Sequence, residues 1–113
     1  MVDAYVPARG DVVWVSFNPQ LGHEQAGRRP ALVLSPVAYN EKAGLAILCP
    51  ITSRVKGYPF EVAIPAGVEV TGVILADQVK SLDWRRRNAA FICRLPEEPL
   101  QEVLLKLNTL LDG

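Results

Sequence analysis

From Asp11 to Leu95 the chain runs through strand-sized apolar segments, each followed or closed by Pro, Asn or Asp, and this punctuation leaves few folds open. Asp11 to Phe17 reads as a first strand, Pro30 to Ser35 as a second and Gly44 to Ile51 as a third. Phe60 to Ile64, Gly72 to Ala76 and Ala89 to Leu95 read as three more. Asn18 to Arg28 and Thr52 to Pro59 are polar loops, Pro36 to Lys42 has room for a turn of helix, and Gln78 to Arg87 reads as a short helical or irregular crossover. Short strands at regular spacing predict a mainly β (α+β) domain: an antiparallel barrel or strongly twisted sheet of about five to seven strands.

The last segment changes period. Leu100, Val103, Leu104, Leu107, Leu110 and Leu111 recur at helical spacing and make one apolar stripe. Glu97 and Glu98 stand where the helix dipole favours anions, and Pro99 is tolerated in a first turn. The stripe predicts a C-terminal helix packed across the sheet as part of the core.

With 113 residues, the chain has material for one domain, residues 1–113, and one core. Half of it is hydrophobic and the mean hydropathy is +0.16, a surplus that points to a subunit interface. No apolar run approaches the ~18 residues of a membrane helix. Twelve basic and twelve acidic residues cancel, which argues against a strongly cationic duplex-binding protein and leaves only local clusters: Arg28 with Arg29, Arg54 with Lys56, and Arg85 to Arg87. The N-terminal residues lack the basic and apolar regions of a signal peptide, and Cys49 and Cys93 sit singly in apolar runs, so free thiols and a cytoplasmic location are expected.

The stretch from Gly22 to Ser35 carries the functional signal. A polar, glycine-punctuated loop runs directly into an apolar strand, with two arginines at the junction. A guanidinium is always charged and offers planar donors that match a phosphate. The chain has a single histidine, His23, so a two-imidazole acid–base pair cannot form within one subunit. Metal-ligand spacings, glycine-rich phosphate loops and GxSxG elbows are missing. What remains is a set of loop-borne polar residues at strand ends: Arg29, then Thr52 and Ser53 with Arg54 and Lys56 beyond them, then Asp77, Gln78, Lys80 and Ser81. On one rim these would supply a phosphate binder, a hydroxyl and base-reading groups, with Phe17 as a stacking face. Such a site suits single-stranded RNA, whose bases are open to reading.

At these residues the chain resembles the MazF/PemK family of toxin endoribonucleases of type II toxin–antitoxin pairs. The likeness is carried by Gly10-Asp11-Val12-Val13-Trp14-Val15, Glu24-Gln25-Ala26-Gly27-Arg28-Arg29-Pro30, Lys56-Gly57-Tyr58-Pro59-Phe60-Glu61-Val62 and Ala76-Asp77-Gln78-Val79-Lys80-Ser81-Leu82-Asp83-Trp84-Arg85. The resemblance implies an SH3-like β-barrel with a C-terminal helix, the fold type shared by CcdB and MazF toxins. It also implies a homodimer whose loops build RNA sites near the interface, and sequence-specific cleavage of single-stranded messenger RNA without metal or other cofactor. The family's catalytic arginine falls on Arg29 and its catalytic threonine on Thr52. Arg28 occupies a more variable position.

In that chemistry the RNA 2′-hydroxyl attacks the adjacent phosphate and leaves a 2′,3′-cyclic phosphate and a 5′-hydroxyl. Arg29 is expected to stabilise charge on the non-bridging oxygens and Thr52 to fix the phosphate. Glu24, His23 or a water is the candidate acceptor of the 2′ proton. Glu24, Lys56 and Gln78 are further candidate RNA contacts, beside Phe17, Ser53 and Lys80. Arg85 to Arg87 suit either RNA or the acidic disordered tail of a MazE-like antitoxin. Two rivals stand against this reading. One is a CcdB-like toxin that binds DNA gyrase and does no chemistry, and the other is an RNA-binding module of SH3 type. The gyrase binder does not require Arg29 and Thr52 at loop mouths.

Overall fold

A computed structural model describes residues 5–17 and 27–112. Its elements are β1 (Asp11–Ser16), β2 (Arg28–Val33), α1 (Val37–Ala43), β3 (Ala46–Thr52), β4 (Glu61–Ala63), β5 (Val73–Leu75), β6 (Lys80–Leu82), β7 (Ala90–Arg94) and α2 (Glu97–Asp112). The seven strands form one antiparallel sheet in the order β4-β5-β3-β2-β1-β7, with β6 also paired to β3. The sheet does not close on itself, so the twisted-sheet form of the expectation holds and the closed barrel does not.

Two strands depart from the sequence reading. Gln78 to Arg87 is not wholly a crossover: Lys80, Ser81 and Leu82 form β6 and pair with Leu48, Ile47 and Ala46. β2 begins at Arg28, so Arg29 lies inside a strand and not on the preceding loop. The cause is β1, which pairs with β2 as far back as Ser16 opposite Arg28 and carries the strand beyond Pro30.

Alternation puts a core on each face of the sheet. Val13, Val15, Ala31, Val33, Ala46 and Leu48 pack on one face with Leu82 and Trp84. Val12, Leu32, Leu34, Cys49 and Ile51 pack on the other, under Leu100 and Val103 of α2. Cys49 pairs with Leu32, Leu32 with Val12 and Val12 with Cys93. Three strand spacings therefore separate the cysteines, about 14 Å, and both are buried free thiols. Burial pushes the Cys49 thiol up to about 12.

Polar clasps hold the periphery. The buried Asp11 accepts from the Tyr5 hydroxyl at 2.6 Å and from the Arg94 guanidinium at 2.9 Å, which ties the N-terminal segment to β7. Asn40, fully buried, donates to the carbonyls of Pro7 and Ser35 and receives the Trp84 indole N–H on its own carbonyl at 2.9 Å. That one asparagine joins α1, the N-terminal segment and the turn after β6.

The predicted apolar stripe of α2 is only half core. Leu100 and Val103 are buried and Leu104 and Leu107 partly so, but Leu110 and Leu111 lie exposed. Among the described residues nothing covers the last helical turns.

Candidate active site

Strand phase collects the candidate residues on one side of the sheet. Arg29 is in phase with Ala31 and Val33, Thr52 with Leu48, and Lys80 lies opposite Leu48. Phe17 follows Val15 in the same phase and packs against the core that holds Val13 and Val15. All four therefore rise from the face that carries Val13, Val15 and Leu48.

Arg29 and Thr52 come from neighbouring strands. The β2–β3 ladder pairs Val33 with Leu48, Leu32 with Cys49 and Ala31 with Pro50, and goes no further. Pro30, the next residue, has no N–H to give β3. Carrying the register past it sets Arg29 across from Thr52, at the open ends of the two strands.

The two arginines at the junction differ in their surroundings. Arg28 donates from Nη1 to the Asn88 carbonyl at 3.0 Å and braces the start of β2. Arg29 points the opposite way and is exposed, its backbone held by pairing with Val15. No other described residue engages its guanidinium. Arg87 is occupied as Arg28 is: its Nη1 donates to the carbonyls of Ser16 and Phe17, at 3.1 Å each. Of the three arginines from 85 to 87, only Arg85 and Arg86 remain solvent-facing, with Arg85 over the Trp84 ring.

Beside Thr52 lies a cleft of about 130 Å³ lined by Thr52, Arg54, Lys56, Tyr58, Glu61, Leu75 and Gln78. It brings together Thr52, Arg54, Lys56 and Gln78 from the expected set. Arg29, Phe17, Ser53 and Lys80 do not line it. Lys80 and Phe17 form a second group, with Nζ 5.9 Å from the ring centroid. Ser53 is exposed just past the end of β3. Glu24 and His23 lie outside the described residues.

Thr52 is fixed from two directions. Its Oγ1 accepts the Arg54 N–H at 3.1 Å. With one lone pair so engaged, the hydroxyl hydrogen is available to donate outward. Behind it stands Gly72 at φ +112°, where a Cβ would fall 2.1 Å from the Thr52 carbonyl oxygen. Only glycine allows that approach. Three cleft residues, Tyr58, Glu61 and Leu75, and Gly72 behind it were not among the sequence candidates, whereas Arg54 was named beside Lys56. Gly72 leaves a trace there, as a glycine ahead of a short strand; the others are indistinguishable from surface residues.

Among the described residues no group of three His, Cys, Asp or Glu side chains could hold a metal ion, and no helix is long and apolar enough to cross a membrane.

An open antiparallel sheet backed by one helix, with a polar cleft at the strand ends, matches a class of small toxins. Residues 8–111 match the family described as PemK-like, MazF-like toxin of type II toxin–antitoxin system. The endoribonuclease toxin MazF of Escherichia coli K12 is 51% identical over 111 residues, spanning 98% of this chain and 99% of its own. The crystal structure of MazF from Deinococcus radiodurans superposes with a TM-score of 0.88 at 57% identity, covering 97% of this chain and 100% of that one. A MazE–MazF crystal structure from the same organism gives 0.87 at 52% identity, covering 97% and 100%. The chain belongs to the PemK/MazF family of toxins of type II toxin–antitoxin systems. Its relatives carry endoribonuclease names, which favours the nuclease reading over a CcdB-like gyrase binder.

Proposed function

We propose that this protein is an endoribonuclease toxin that cuts single-stranded messenger RNA at a short sequence, through the RNA's own 2′-hydroxyl and without a metal. The observation that carries this reading is the face shared by Arg29 and Thr52 at the open ends of β2 and β3. Arg29 stabilises charge on the non-bridging oxygens as the phosphorane forms, and a guanidinium suits that role because it keeps its charge at every working pH. Thr52 donates its hydroxyl hydrogen to the same phosphate, its lone pair being held by the Arg54 amide. The 2′ proton passes to Glu24, His23 or a water. The bond from phosphorus to the 5′ oxygen breaks and that oxygen takes a proton from Arg29 or a water, leaving a 2′,3′-cyclic phosphate and a 5′-hydroxyl. Lys56 and Gln78 in the cleft, and Phe17 with Ser53 and Lys80 beside it, contact the flanking nucleotides.

The working unit is a homodimer. Leu110 and Leu111 of α2 are exposed, and the same helix lines an apolar groove through Leu104 and Leu107, with Leu34, Pro36, Tyr39 and Ile47. Apolar surface of this kind supports an interface between copies. The cognate antitoxin brings an acidic disordered segment that competes with RNA for the Thr52 cleft, assisted by Arg85 and Arg86. The MazE–MazF complexes of related toxins support such a partner.

Purified protein and a defined single-stranded RNA in EDTA test the chemistry. Discrete cuts ending in cyclic phosphate are expected, and Arg29→Ala lowers the rate by about 10²–10³ with an unchanged circular dichroism spectrum. Thr52→Ala lowers it as well. Intact RNA with the wild-type protein, or parental cleavage by Arg29→Ala, overturns the reading.

A further inference from the structure

A carboxylate is out of place in a groove built for a polyanion. Glu61 lines the cleft with Thr52, Lys56 and Gln78, where its charge opposes an incoming phosphate. Its hydrogen bonds show what it does there. Oε2 accepts the Lys56 N–H at 3.0 Å and Oε1 accepts the Gly57 N–H at 2.9 Å, while the Glu61 N–H donates to the Tyr58 carbonyl at 3.1 Å. Gly57 has φ +84°, and successive amides at such a turn make a concavity that takes an anion. In this protein the anion is the side chain of β4's first residue.

Folding the segment back in this way sets two cleft walls at once. Lys56 and Tyr58 both line the cleft, with Nζ 5.9 Å from the tyrosine ring centroid. The far side of the loop is tied to α2, where Lys106 Nζ donates to the Pro59 carbonyl at 2.5 Å. The cleft holds about 130 Å³, the room of roughly four water molecules.

We infer that Glu61 is a positioning residue: its carboxylate fixes Lys56 and Tyr58 at the wall of the Thr52 cleft, and thereby sets RNA affinity and the choice of base beside the cleaved linkage. This rests on the ribonuclease reading above.

Charge and positioning predict opposite signs. If Glu61 acted only through its charge, Glu61→Ala would remove a repulsion and KM for RNA would fall. If it positions the loop, KM rises because Lys56 and Tyr58 lose their fixed geometry. Glu61→Gln is neutral too but keeps one acceptor oxygen, so it falls between wild type and alanine, and it carries the comparison should the alanine variant fail to fold.

The experiment measures kcat and KM for a short single-stranded RNA with wild type, Glu61→Ala and Glu61→Gln, and maps cut ends across a mixed transcript pool. Expected are a rise in KM of about tenfold for alanine, a smaller rise for glutamine, little change in kcat, and cuts at sequences that wild type leaves intact. A KM that falls or stays put, or an unaltered set of cut sites, overturns the inference. Lys56→Ala serves as reference: if it changes neither KM nor the cut sites, the loop that Glu61 braces does not touch RNA, and the inference falls with the ribonuclease reading still standing. Parental cleavage by Arg29→Ala would instead remove the ribonuclease reading itself.

Discussion

Arg28 and Arg29 are chemically identical neighbours, and strand alternation alone gives them different work. One bonds the Asn88 carbonyl and holds the strand start, and the other stands exposed on the face shared with Thr52. The sequence placed both at a strand mouth but held no signal for which way either points, because that depends on the pairing of Val15 with Arg29. Thr52 was legible as a hydroxyl after an apolar run. Glu61 was not, since a glutamate beside a strand looks like any solvated charge until its two amide partners are seen. Cys49 gives a prediction at this scale. Burial holds its thiol at about 12 against an ordinary 9.0. Across that window the unfolded chain loses the proton and the native state keeps it, so the unfolded state binds fewer protons and stability declines as pH rises. The full contribution is present below the lower value and fades through the upper one, by at most about 1.4 kcal/mol per pH unit. Urea unfolding across this alkaline range should show the decline, and Cys49→Ala should lessen it, the raised Cys93 thiol and Tyr5 hydroxyl keeping a remainder, while lowering stability at neutral pH.

Among the elements, the turn into β5 is where backbone shape serves the site. Gly72 and Gly67 both have positive φ, +112° and +92°, but a Cβ at Gly72 meets the Thr52 backbone whereas one at Gly67 meets nothing. Alanine at either position carries a similar left-handed strain of about 1–2 kcal/mol. Gly72→Ala should in addition displace Thr52 and lower kcat at least tenfold, while Gly67→Ala cleaves RNA at the parental rate. Equal kcat values for the two would show that Thr52 tolerates the shift. The longer strands were legible because their apolar runs end at turn residues. β6 was not, because Lys80-Ser81-Leu82 has only one buried residue and becomes a strand through its partner Leu48. Pro50 also obscured the reading of β3. It looks like a terminator, yet it lies inside the strand, where pairing passes from β6, which reaches Leu48, to β5, which begins at Ile51.

For the whole molecule, the helical stripe was legible as a helix but not as an outer surface. Spacing shows which residues share a face and is silent on how far the sheet extends beneath them. Leu110→Glu should leave the monomer fold intact, since that side chain is half exposed at 48%, and should weaken self-association at least tenfold, as read by sedimentation equilibrium. A dimer of undiminished affinity would place the subunit contact elsewhere. The proline that stops β2 from zipping onto β3 has a wider consequence. It makes the mouth between Arg29 and Thr52 a fork in the main chain, present whatever side chains stand around it. Replacing the residues on its prongs can change which nucleotides are gripped, while the prongs themselves stay apart. A scaffold of this kind can acquire new cutting sequences one rim residue at a time and keep the cutting step unaltered.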